Sequence, residues 1–447
     1  MQADCSANTT LCAKTRGQHG FFLVRSGFMM DDHNNIGNHA MDRSIQRLLL
    51  AGGLIVSLAM GIRHGFGFFM PPMTSAFGWT RESFAFALGM QNLIWGLAQP
   101  FAGALADRHG PGKVLLGGGL LYALGLLLMT VSATPVLFSL SAGVLLGLAL
   151  SGTTYSVIFG VLGRTVPAAY RSRAMGLTAA AGSFGQFAMV PIERSLIDGM
   201  GWLPSLLVLA GCALLMLPLG RSLTRQADAM PQTGAPQVHA HLLQGMLHTF
   251  ARAWTEKGFR LLMAGYFVCG FQVVFIGVHL PAYLRDHGMG GNIASLALAL
   301  IGLFNIFGTF IFGEAGSRYA KPPLLAGIYL ARSIAIGLFL LLPLSVPSVL
   351  VFASVMGFLW LSTVPLTNGV IASQFGVQHL GMLSGAVFFS HQLGSFLGVW
   401  LGGKLYDLNG NYNIVWGIAI ALGVLAALAN LPIREQASAA FADKAAA

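Results

Sequence analysis

An arginine and a histidine, Arg63 and His64, stand side by side in the apolar stretch LIVSLAMGIRHGFGFFM. A guanidinium in such a run costs several kcal/mol unless something partners it. It also offers planar donors that fit a carboxylate bidentately. Three readings are open: a side chain reaching back to the membrane interface, one satisfied by backbone carbonyls, and one that receives an anionic ligand. Other polar and aromatic side chains recur inside apolar runs. Gln272, His279 and Tyr283 are spaced by seven and four residues and share one face of a helix. Tyr155, Trp360 with Thr363, and His391 with Ser395 fall at comparable depth in other runs. The candidate substrate-binding residues are therefore Arg63, Tyr155, Gln272, His279, Trp360 and His391, a cation with aromatic and hydrogen-bonding walls. Histidine changes charge nearest neutral pH, so His64, His279 and His391 are also candidates for relaying a proton.

The elements that must position these residues follow from composition. Of 447 residues 55% are hydrophobic and only 9% charged, and the mean hydropathy is +0.70. Most of such a chain belongs in lipid. About twelve apolar runs are long enough to cross a hydrocarbon core of about 30 Å as helices. They cover about 48–74, 83–105, 114–132, 136–160, 174–197, 203–220, 260–284, 294–314, 323–343, 347–369, 381–403 and 413–432. A β-barrel would show short alternating segments instead, and the 58 glycines suit close helix packing in lipid. Acidic residues are scarce in the runs, with Glu193 and Glu314 toward run ends, so no internal partner for Arg63 is evident. Cys5, Cys12, Cys212 and Cys269 form neither a disulfide framework nor a metal-binding spacing. No metal or cofactor is implied; coupling to protons is the one addition considered.

The net charge of +10 does not point to nucleic acid, because the basic residues gather in particular turns. Arg43, Arg47, Arg108, Lys113, Arg164, Arg171, Arg173, Arg221, Arg225, Arg318, Lys321 and Arg434 all fall on one side of a twelve-span arrangement. That side is expected to be cytoplasmic, with both termini on it. Residues 1–45 read as a disordered cytoplasmic tail, with Met41 as a candidate natural start. Residues 46–220 and 260–433 read as two six-helix bundles, 221–259 as a cytoplasmic linker and 434–447 as a cytoplasmic tail. The halves look related. An offset of 210 pairs Pro71 with Pro281, Gly103 with Gly313, Arg108 with Arg318, Gly147 with Gly357 and Thr153 with Thr363. An offset of 209 pairs Gly176 with Gly385, Asp198 with Asp407 and Gly201 with Gly410. Because six spans separate equivalents, both halves enter the membrane in the same direction, a parallel repeat.

Between the second and third runs lies GALADRHGPGK, with Gly103, Asp107, Arg108, Gly110 and Lys113. It resembles the G-x-x-x-D-R-x-G-x-[RK] signature of the major facilitator superfamily, except that Gly112 takes the usual basic position and Lys113 follows one place later. GEAGSRYAKPP at 313–323 resembles a worn copy, keeping Arg318 while Ser317 replaces the acid. A carboxylate at Asp107 can hold the start of a neighbouring helix, whose free N–H groups attract anions. The resemblance implies that this helix is span eleven, near Leu380, and that the contact acts as a latch, closed when the cytoplasmic mouth is shut.

Several longer stretches, among them FGWTRESFAFALGMQNLIWGLAQPFAGALADRHG, RSRAMGLTAAAGSFGQF and SHQLGSFLGVWLGGKLYD, resemble bacterial relatives of monocarboxylate transporters and oxalate:formate antiporters. The resemblance covers nearly everything after residue 45. It implies an all-α membrane protein of twelve helices in two parallel six-helix repeats. It also implies a monomeric secondary transporter in a bacterial inner membrane, surrounded by lipid, carrying a small organic anion by rocking its bundles. Those relatives carry an arginine within span eight, where ALALIGLFNIFGTFIFG has none, so an anion clamp here rests on Arg63 in span one. The competing reading is an efflux carrier for a drug-like or cationic compound, which would want an acid in the cavity. An enzyme is not indicated, since no zinc motif, catalytic acid pair or nucleotide loop is found.

Overall fold

The computed structural model describes residues 43–228, 242–376 and 379–438. The chain divides into Met1–Asp42 and Arg43–Ala447. The first unit, which carries the expected tail and Met41, lies outside the described residues, as do 229–241 of the expected linker and 439–447 of the expected C-terminal tail.

Among the described residues there are helices and no strand. Twelve helical rods are long enough to span a membrane. In the first repeat they are span one (Ser44–Phe77), two (Arg81–His109), three (Pro111–Val131), four (Pro135–Thr165), five (Ala168–Met200) and six (Trp202–Asp228). In the second they are span seven (Lys257–Asp286), eight (Gly291–Arg318), nine (Lys321–Leu341), ten (Val346–Phe375), eleven (Leu380–Asn409) and twelve (Asn413–Asn430). A shorter helix, Leu242–Thr255, precedes span seven. Local chemistry sets the ends. The Thr80 hydroxyl accepts from the Ser83 backbone N–H at the start of span two, and Ser345 with Ser348 forms a reciprocal cap on span ten. Gly110, at φ 90°, makes the turn into span three, a conformation a side chain would resist.

Ten of the twelve rods are apolar enough to cross a membrane on composition alone; spans two and five are not among them. Both carry polar residues that are nonetheless buried, Gln91 and Asn92 on one, Gln186 and Glu193 on the other. Their shielding comes from both repeats: Gln91 donates to the Ala142 carbonyl and Glu193 lies against Gly65 within the first repeat, while Gln186 faces Gly302 of the second. Span two packs along span eleven and span five along span eight, forming the two seams of the molecule. Glycines let these seams close: a Cβ on Gly96 would lie 2.8 Å from Gln392, and one on Gly302 would lie 2.8 Å from the Phe187 nitrogen.

Four rods are interrupted where the sequence predicts continuous helix, span six by a single turn residue at Leu215. Span one stops at His64, makes a 3₁₀ turn over Phe66–Phe69 and resumes at Met70. Span four contains a wide π-turn stretch at Ser139–Leu145, then breaks at Thr154. Span ten breaks between Leu359 and Thr363. Spans four and ten are equivalents in the two repeats, and discontinuous helices at mid-depth free backbone groups to line an internal site.

Candidate solute-binding site between the repeats

The helix breaks gather most of the candidate residues. Arg63 lies one residue before the end of the first helix of span one and points into the protein rather than toward lipid. Its Nη2 donates to Asn92 Oδ1 of span two, and its guanidinium lies 5.1 Å from the centre of the Trp95 ring. Its Nε has no protein partner although it is shielded. Trp95 donates its indole N–H to Thr154 Oγ1 at 3.2 Å, at the break of span four. Across the seam the same ring meets Phe388 of span eleven, 5.3 Å between centroids and edge-on. Phe388 stacks in turn on His391, 6.0 Å away and 7° from parallel. The Nδ1 of His391 lies 3.2 Å from Gln392 Oε1 and 3.3 Å from Ser395 Oγ, while its Nε2 has no protein partner. Tyr266 of span seven packs 5.1 Å from the same imidazole, and Cys269, one turn on, reaches Thr363 Oγ1 at 3.4 Å. Trp360, at the break of span ten, sits edge-on to His64 at 6.3 Å. Residues from both repeats thus form a continuous polar and aromatic ring at mid-depth.

Two charged residues outside the candidate set belong to this region. Arg332 of span nine is fully buried; its Nη2 and Nε donate to the Leu359 carbonyl at 2.6 and 3.2 Å, and Nη2 also reaches the Trp360 carbonyl. It satisfies the carbonyls that the break in span ten sets free. The 210-residue offset places Tyr122 at the equivalent point of span three, and its hydroxyl donates to the Ala59 carbonyl at 2.9 Å. The second residue is Glu193. The sequence puts it toward a run end, where it does not count as an internal partner for Arg63; it is 0% exposed, with neither oxygen bonded to a protein donor. It lies against Gly65, where an added Cβ would come within 1.6 Å of Oε2. A lone arginine in the apolar GIYLARSIAIG was a visible signal for Arg332; for Glu193 sequence offered only its position.

Other candidates sit apart. Gln272 donates to the Ala419 carbonyl of span twelve at 2.9 Å. His279 has both ring nitrogens engaged, 2.8 Å from the Val399 carbonyl and 3.2 Å from the Tyr412 hydroxyl. The face they share with Tyr283 therefore looks toward spans eleven and twelve. Tyr155 turns toward span five, where a Cβ on Gly182 would lie 2.4 Å from its hydroxyl.

At the end of the molecule carrying Asp107, the ion pairs stay within one repeat. Asp107 pairs with Arg164 in the last turn of span four; the contact with the start of span eleven, expected when this mouth is shut, is not made among the described residues. Arg318 pairs with Glu314 four residues back at 2.8 Å, and Lys321 with Glu435 at 2.9 Å. Arg108 and Lys113 are exposed, and a Cβ on Gly103 would meet nothing within 4 Å. The opposite end is joined across the repeats. Arg81 makes a bidentate pair with Asp286 of span seven, 2.7 Å for each contact, donates to the Tyr412 hydroxyl at 2.8 Å and lies 3.7 Å over the Tyr406 ring. Asp407 of span eleven accepts the backbone N–H groups of Arg81 and Glu82 at 3.2 and 2.6 Å, capping span two, and Trp400 donates to Glu82 at 3.0 Å.

The family model for the Major Facilitator Superfamily matches residues 49–399 and 262–446. Monocarboxylate transporter 13 of Rattus norvegicus is 27% identical over 372 residues, covering 81% of this chain and 82% of the relative. An uncharacterized MFS-type transporter, YcxA of Bacillus subtilis (strain 168), is 25% identical over 397 residues, covering 83% and 90%. Among solved structures, that of the D-xylose-proton symporter superposes with a TM-score of 0.66 at 15% identity, covering 87% of this chain and 97% of the other. At that identity the likeness speaks for the fold alone.

Proposed function

Because this chain belongs to the Major Facilitator Superfamily, it is a multi-pass membrane transporter of a small molecule, and we propose that its cargo is a small organic anion of the monocarboxylate kind. The observation that carries this reading is the placement of Arg63: turned inward, steadied by Asn92 and Trp95, and left with an unpartnered donor at the junction of both repeats. A cargo carboxylate meets there the partner a buried guanidinium needs, through charge-assisted hydrogen bonds. Trp95, Phe388 and Trp360 supply the apolar wall for the rest of a short chain. A cationic cargo, the competing reading, would need an acid open to the cavity. The buried acid found, Glu193, is packed against Gly65 and closed to it.

Transport proceeds by rocking of the two repeats about the seams. The Arg81 end is held shut here, and opening it breaks the Arg81–Asp286 pair and the Asp407 cap. The Asp107 end carries the basic turns and faces the cytoplasm. Proteoliposomes offered a panel of labelled short-chain carboxylates test the cargo. At least one acid is expected to be accumulated or exchanged. Arg63→Ala is expected to raise its KM roughly 10- to 100-fold, the weight of about 1.5–3 kcal/mol for hydrogen bonds to a charged group. Arg63→Lys, a point charge without the fork, falls between. Uptake indifferent to both substitutions sinks the reading.

A further inference from the structure

Glu193 has no role in the anion site as described, yet its setting is unusual. It is fully buried, and neither carboxyl oxygen has a hydrogen-bond donor from the protein. A carboxylate in that position would be a bare buried charge, which proteins avoid by pairing it or by keeping it protonated. Oε2 is lodged against the backbone of Gly65, where span one is interrupted, so a methyl group on that residue would overlap it. The ionisable groups around it are Arg63 and His64 on span one, Tyr122 on span three and Cys212 on span six. On its own helix Arg194 follows directly, paired with Asp198 and lying against Gly291 at the start of span eight. Span eight itself presents no titratable side chain before Glu314 near its other end.

Two features make this carboxyl more than a buried oddity. First, it lies directly beneath the closed end. Phe68, in the turn that follows Gly65, lines a small cleft with Arg194, Pro281, Arg285 and Gly291, and a Cβ on Gly67 would lie 2.6 Å from the Val278 carbonyl of span seven. Parting the repeats at the Arg81 end removes this cover and brings water to Glu193. Secondly, Tyr122 lies within electrostatic range of both Glu193 and Arg63. Gly65, against which Oε2 rests, lies two residues after Arg63, so the carboxyl and the cargo site share one turn of span one. Closed off from water the carboxyl keeps its proton, and it ionises in the states in which water reaches it as the cargo leaves.

We propose that Glu193 is the proton-carrying group of this transporter. It takes one proton from water on the Arg81 side as that end opens, and gives one up toward the Asp107 side as each anion departs. The balance is one proton and one monovalent anion per cycle, with no net charge moved. This rests on the reading that Arg63 binds an anion, but its test has an arm that does not.

Infrared difference spectra of purified wild type and Glu193→Gln at neutral pH report the protonation state without any cargo. The C=O stretch of a protonated carboxyl is expected in the wild type and absent from the variant; no such difference overturns the proposal. In proteoliposomes loaded with pyranine, uptake of a labelled monocarboxylate by the wild type is expected to acidify the lumen and to accelerate as the outside is made more acidic. Glu193→Gln is expected to keep anion exchange while losing acidification, accumulation driven by a pH gradient, and the pH dependence. Should the variant lose exchange as well, Glu193→Asp decides: gradient-driven uptake restored with a displaced pH profile supports the proposal, and none restored overturns it. Anion uptake by the wild type without acidification overturns the proton role and leaves the Arg63 site standing. No carriage of any monocarboxylate overturns the Arg63 reading, and the spectra still decide whether Glu193 holds a proton.

Discussion

Arg332, like Arg63, keeps one buried donor without a protein partner, its Nη1, but the rest of its guanidinium is structural. Its other donors go to the Leu359 and Trp360 carbonyls, groups that exist as acceptors only because span ten is broken. Arg332→Leu leaves both unpaired at about 1–3 kcal/mol each. The melting temperature in detergent is expected to fall by roughly 5 °C or more, a larger loss than Arg63→Leu produces. At Gly65 a methyl group collides with Glu193, so Gly65→Ala is expected to destabilise by about 1–3 kcal/mol. Glu193→Ala in the same chain is expected to recover most of that, a coupling readable by a double-mutant cycle of melting temperatures. Arg63 was legible because an arginine in an apolar run has few explanations. Arg332 is as isolated in sequence, but its partners are backbone carbonyls, which carry no letter of their own.

Among elements, the notable contact is a carboxylate holding the N-terminus of a helix in the other repeat. The signature around Asp107 led to the expectation of such a contact at the cytoplasmic end, where Asp107 instead pairs with Arg164 of its own repeat. The contact exists at the opposite end, as Asp407 on span two. Each end thus has its own carboxylate, and the one engaged marks the end that is shut. Arg81→Ala removes the bidentate pair with Asp286 and its hold on Tyr412. Losing about 1–2 kcal/mol from the seal shifts the population of the opened end roughly 5- to 30-fold. A cysteine placed at Phe68, with all four native cysteines replaced, is expected to react faster with a membrane-impermeant maleimide by that factor. Asp107→Asn is expected to leave that labelling unchanged and to slow turnover without altering KM, since its pair is half-exposed and joins spans two and four of one repeat. The end that closes is not written in the motif, because one sequence must serve both states.

For the whole molecule, the twelve rods and their pairing as two repeats were readable from hydropathy and from the near-constant offset of about 210. The interruptions in spans one, four and ten were not: Pro71, Pro72, Pro365 and the SGTT run at 151–154 lie at them, but Pro100, Pro191 and Pro281 sit in unbroken helices, so packing decides which positions break. Gln272 and His279 show the same limit from the other side. Their shared face was evident, but whether it met span twelve or the opposite repeat depended on packing. If the repeats rock as bodies, tying residues 82 and 400 together stops the cycle. A cysteine pair there, bridged by a short cleavable cross-linker, is expected to abolish transport, and cleavage to restore it; unaffected transport argues for a smaller, local movement. Finally, Tyr122 and Arg332 occupy one position in two descendants of a common module, and each steadies a neighbouring backbone. The first uses a neutral phenol and the second a permanent cation, so the halves have ceased to be interchangeable: a chimera joining the first half to itself would inherit two buried acids and lose the cation that secures its broken tenth helix.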